Sequence, residues 1–145
     1  MAKVKYIACD IYKRGIDVFI GTPQEFIKWC KDTFNENKDD KEFCDSIETC
    51  AYGAADFHFG NGYGVVRIPK FPRTPIAISE LVHELLHATD WLLWYSGIEY
   101  QKGNPVSEVH TYLLEHLVRN ALRYEGYETI STKKQPSDVE NKGKC

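Results

Sequence analysis

The stretch Pro75–Gly97, PIAISELVHELLHATDWLLWYSG, decides how the chain is read. Leu81, Val82, Leu85, Leu86, Leu92 and Leu93 recur at helical rather than strand spacing, and Gly97 offers a C-terminal stop. The preceding Phe71-Pro72-Arg73-Thr74-Pro75 bars regular structure, so a long and substantially buried helix is expected to begin at Pro75. In the middle of that helix stands His83-Glu84-Leu85-Leu86-His87.

Working toward the N-terminus, Ala54–Phe59 and Tyr63–Pro69 are β-prone runs flanking Gly60-Asn61-Gly62, which reads as a hairpin. Asn35–Glu42 is charged and asparagine-rich, suited to a solvated connection. Before it, Thr22-Pro23 has the form of an N-cap followed by proline at the first helical position. Phe26, Ile27, Trp29, Cys30 and Phe34 then carry a helical period to about residue 35. Val4–Tyr12 and Asp17–Gly21 form a first hairpin, joined by Lys13-Arg14-Gly15-Ile16, where the glycine is available for positive φ.

Toward the C-terminus, Ile98–Pro105 is a short connection. Val106, Val109, Leu113, Leu117, Val118 and Ala121 then define a further helix that should pack back on the first long one. From Gly126 the chain is polar and lysine-rich, and residues 126–145 are expected to be a disordered tail. Hairpin, helix, hairpin, helix, helix implies a single α+β domain over residues 1–125. Its expected core is a twisted mixed sheet of two hairpins packed on the motif helix and the helix after it.

At 145 residues the chain is long enough for one hydrophobic core. A net charge of -3 argues against a nucleic-acid partner, and no apolar run is long enough for a membrane span. The N-terminus lacks the apolar segment and cleavage site of a secretory signal, which implies a cytoplasmic location. Cys9, Cys30, Cys44, Cys50 and Cys145 are odd in number and lack C-x-x-C spacing, so they read as free thiols.

On a helix, residues four apart share a face, so His83 and His87 can each present an imidazole nitrogen to one metal ion. Glu84, to the side of that pair, can reach a metal-bound water without being a ligand. Zn2+ is the expected cofactor. A catalytic zinc needs a third protein ligand, for which Glu108 leads and His110 on the same turn competes. Asp90 is placed to accept the free N–H of a ligating histidine, and His110, Tyr112 and Tyr63 are candidate donors to a developing oxyanion.

His83, Glu84, His87 and Glu108 together resemble the gluzincin group of zincin metallopeptidases, in which an H-E-x-x-H helix is followed by a glutamate ligand on the next helix. The stretch His83–Trp91 also resembles the motif helix of small H-E-x-x-H proteins encoded by phages and prophages. One turn after Glu108, Tyr112 stands where larger gluzincins carry an acidic residue, and no third histidine follows His87 at the short metzincin spacing. The resemblance implies a zincin-like domain with a substrate cleft beside the strand Tyr63–Ile68, where an edge strand would pair with an extended peptide. His58, Arg67 and Tyr52 are candidate cleft residues.

The expected function is a zinc-dependent peptidase acting on a peptide or protein substrate through a metal-activated water, with Glu84 as general base. One alternative is a non-peptidase amide hydrolase such as a deformylase, whose third ligand is a cysteine; Cys44 and Cys50 lack the surrounding motif. Another is a catalytically silent zincin-like binding protein, such as a phage inhibitor or accessory factor, which would have no need of the base Glu84.

Overall fold

The structure, a computed structural model, describes residues 1–34, 55–60, 62–98 and 106–130, with the side chains of residues 11 and 106–108 outside that description. Its elements are strands β1 (Lys3–Cys9) and β2 (Arg14–Ile20), helix α1 (Pro23–Phe34), and strands β3 (Asp56–Gly60) and β4 (Tyr63–Ile68). Helices α2 (Pro75–Tyr95) and α3 (Val106–Ala121) and a short strand β5 (Glu128–Thr129) complete them. The strands form one five-stranded sheet in the order β3-β4-β2-β1-β5. Two antiparallel hairpins, β1–β2 and β3–β4, meet through a parallel pairing of β2 with β4, so the sheet is mixed and the domain is α+β.

Alternation along the strands sorts side chains onto two faces. Val18, Val66 and Ile68 point to one face, where Leu81, Leu85 and Leu92 of α2 and Leu113 and Leu117 of α3 cover them. Phe19 and Val65 point to the other, where Phe26 and Cys30 of α1 close a second cluster. Nearly all of these residues are fully buried, which is why β2 and β4 read as apolar runs in the centre of the sheet.

Local chemistry sets the element ends. Thr22 Oγ1 accepts from Glu25 N–H at 3.2 Å while Glu25 Oε2 accepts from Thr22 N–H at 2.9 Å, a reciprocal capping box that starts α1. Thr74 Oγ1 accepts from Ala77 N–H at 3.2 Å, with Pro75 at the first position of α2. At the other end of α2, Gly97 takes a φ of 77°, and Ile98 N–H bonds back to Leu93 O at 2.8 Å.

Three expectations are corrected. The first hairpin does not turn at Gly15: β1 ends at Cys9, Asp10–Tyr12 make a 3-10 turn closed by Lys13 N–H on Asp10 O, and Lys13 itself takes the positive φ of 51°. Gly15 lies within β2, where a Cβ would stand 2.1 Å from Ile7 O, so what it supplies is close approach of two strands. The edge strand of the second hairpin is β3, whereas β4 is central. Finally, the segment expected to be disordered from residue 126 opens with β5, which pairs with β1. Tyr127 anchors it by donating its hydroxyl to Ala121 O at 2.8 Å, and the Lys5 ammonium lies 5.3 Å above the Tyr127 ring. Residues 131–145 lie outside the described residues.

Candidate metal centre and cleft

α2 lies across the sheet with its middle turn at β3 and β4. Gly64 makes this close approach possible: a Cβ there would stand 2.9 Å from the Trp91 ring. With Trp91 seated on the sheet, the turn before it projects the His83 and His87 rings outward, and their Nε2 atoms converge to 3.2 Å. Two nitrogens each about 2.0–2.1 Å from one tetrahedral ion stand about 3.3 Å apart, so the pair already has the spacing of two zinc ligands.

Glu84 lies beside them, its Oε1 3.9 Å from His83 Nε2, with a side chain far more shielded than that of His83. Burial pushes its carboxyl above the usual carboxylate range, against the lowering influence of His83 and His87. Glu84, His87, Asp90, Trp91 and Trp94 form the helical wall of a cleft of about 770 Å³, and Ala55–Phe59, chiefly the edge strand β3, form the opposite wall.

The inner end of that wall is rigid. The Arg67 guanidinium, 1% exposed, donates through Nη2 to Asp56 Oδ2 at 2.8 Å and through Nε to Asp56 Oδ1 at 3.1 Å. His58 packs against the Phe26 ring at 5.1 Å, with Nε2 at 3.1 Å from Asp56 Oδ1. That contact is off the alignment a hydrogen bond needs, and the buried nitrogen has no hydrogen-bond partner among the described residues.

Of the residues singled out in the sequence, His83, Glu84 and His87 are brought together, and Asp90 and His58 line the same cleft. Asp90 makes no hydrogen bond or ion pair to His83 or His87. Its Oδ1 instead meets His110 Nε2 at 2.7 Å, linking α2 to α3. Tyr112 is exposed on α3 and is not among the cleft residues. Tyr63 stacks on Phe34 with ring centroids 3.9 Å apart, on the α1 side of the sheet. Tyr52, Cys44 and Cys50 lie outside the described residues, as does the side chain of Glu108, whose backbone is in the first turn of α3. Among the described residues no three His, Cys, Asp or Glu side chains converge as a complete ligand set.

Trp91 and Trp94 were not singled out from sequence, although their spacing carries the signal. Positions 84, 87, 91 and 94 advance by three, four and three residues, which is one stripe of a helix. Among the described residues, no helix is long and apolar enough to cross a membrane. The chain matches no family model, no curated protein and no solved structure.

Proposed function

We propose that the protein is a zinc-dependent hydrolase that cleaves peptide bonds at the His83-Glu84-Leu85-Leu86-His87 turn of α2. The observation that supports this most strongly is the 3.2 Å convergence of His83 Nε2 and His87 Nε2 at an open cleft whose wall carries His87 and Glu84. His83 and His87, with Glu108 as the candidate third ligand, would hold the zinc ion, which would supply Lewis-acid activation of a water when bound.

Glu84 does the proton work. Its carboxylate takes a proton from the water as the water oxygen bonds to the carbonyl carbon, then passes it to the amide nitrogen as the C–N bond breaks. The acidic and basic products are thereby generated without free hydroxide or hydronium. Asp90 and His110 fasten α3 against α2 near the cleft, and Arg67 fixes the start of β3 through Asp56. The Glu84 step and the cleft both favour hydrolysis over passive binding, since a binding surface has no use for a general base beside a metal.

The test is cleavage of an unfolded protein substrate, read by mass spectrometry, with wild type and Glu84→Gln compared at equal zinc loading. Loss of at least about a hundredfold in rate on removing the base, with zinc retained, is expected. Equal rates in the two proteins would exclude the role given to Glu84.

A further inference from the structure

Beyond Glu84, the cleft continues as an aromatic groove. Trp91, 6% exposed, forms its floor, with the Phe57 and Phe59 rings at 6.2 and 6.4 Å from it. Phe59 and Trp94 form opposite rims and are 61% and 69% exposed. Two such rings held open on either side of a buried third are an expensive surface to leave in water, and they are continuous with the wall that carries Glu84 and His87.

The groove has a defined position along the cleft. Trp91 and Trp94 lie four and seven residues past His87, which is about 6 and 10 Å along the helix at 1.5 Å per residue. β3 advances in the same direction. Its Asp56 end lines the cleft together with Glu84, and the turn after it brings Gly62 beside the Tyr95 hydroxyl, 4.0 Å from where a Cβ would sit. An extended chain lying along β3 advances about 3.3 Å per residue, so the groove falls two or three residues from a bond held at the histidine pair.

We infer that the Phe59–Trp91–Trp94 groove is a specificity subsite that takes an aromatic or large aliphatic side chain two or three residues from the scissile bond of an extended peptide. The inference rests on the hydrolase reading for its reference point, and it names the substrate class of that same site. Recognition at this distance means that a residue remote from the cut is selected. Apolar side chains of the right size bury against three rings at once, and acidic ones lose hydration beside the Asp90 and Glu84 carboxylates.

Two measurements on the full chain separate this inference from the reading it rests on. The first digests an end-blocked random decapeptide library with wild type and Trp94→Ala, and maps cut sites by mass spectrometry. The second measures, by calorimetry, binding to Glu84→Gln of two blocked decapeptides that differ only by Phe or Ala at the remote position. Enrichment of Phe, Tyr, Trp and Leu two or three residues from the cut is expected. The Phe peptide should bind about tenfold tighter or more than the Ala peptide, and in Trp94→Ala both preferences should collapse toward unity. Trp94 and Phe59 are exposed, so their truncation leaves the core intact, and Phe59→Ala serves as the second variant. Cleavage with no remote preference, or a preference that survives both truncations, would overturn the subsite and leave the hydrolase reading standing. A Phe preference in binding without any cleavage by wild type would support the groove and overturn the hydrolase.

Discussion

Arg67 is the largest side chain buried to 1% exposure, and it is charged, so the sheet edge beside the cleft depends on its partner. Asp56 supplies both oxygens, and Arg67 Nη1 also donates to Gly21 O at 3.4 Å. Truncating the carboxylate removes a two-point, charge-assisted contact from a buried guanidinium, and Asp56→Ala is expected to lower unfolding free energy by about 3 kcal/mol in urea titration. Asp17 is the opposite case. Burial in β2 pushes its carboxyl from 3.8 up to about 6, so the folded state holds that proton more tightly than the unfolded one. The associated stability is therefore present at low pH and is lost as pH rises from about 4 through 6, an order-of-magnitude loss of about 3 kcal/mol. Asp17→Asn should be more stable than wild type at pH of about 7.5 and indistinguishable from it at pH of about 4. Parallel stability curves across that window would show that Asp17 does not titrate as stated. None of this was legible in the sequence, because an aspartate in a strand looks the same whether its face is covered or wet.

At the scale of elements, α2 was the most legible, because the 3–4 spacing of its leucines, the Thr74-Pro75 start and the Gly97 stop agree with one another. Its seating on the sheet was not. That depends on Gly64, in an otherwise apolar strand, leaving room for the Trp91 ring. Gly64→Ala should push Trp91 outward and cost about 1–3 kcal/mol by overpacking, read as a lowered midpoint of thermal unfolding together with a changed Trp fluorescence maximum. Loss of neither would mean that the ring shifts freely. The edge position of β3 was equally hidden: both hairpins were expected, the first with its turn misplaced, but their order in the sheet follows from the parallel pairing of β2 with β4, a contact between residues about fifty apart in sequence. β5 was missed for a different reason. Two residues carry no periodicity, and what holds them is the pairing with β1 and Tyr127, over whose ring lies the Lys5 ammonium that also donates to Asn120 O and Arg123 O at the end of α3.

For the molecule as a whole, the two hairpins and three helices of the described residues bring one turn of α2 to a cleft whose other wall is a sheet edge. The triad of His83, Glu84 and His87 was legible because helical geometry makes a local spacing into a spatial constellation. The groove and the Asp90–His110 link were not, since they join residues of different elements. The hydrolase proposed for the cleft depends on the histidine pair holding a metal. The most direct measurement is the zinc content of purified wild type, His87→Ala and Glu108→Ala by elemental analysis after reconstitution and removal of free metal. About one zinc per chain in wild type, lost in His87→Ala and weakened in Glu108→Ala, is the result the account predicts. Wild type that retains no zinc, or His87→Ala that retains as much as wild type, would contradict it.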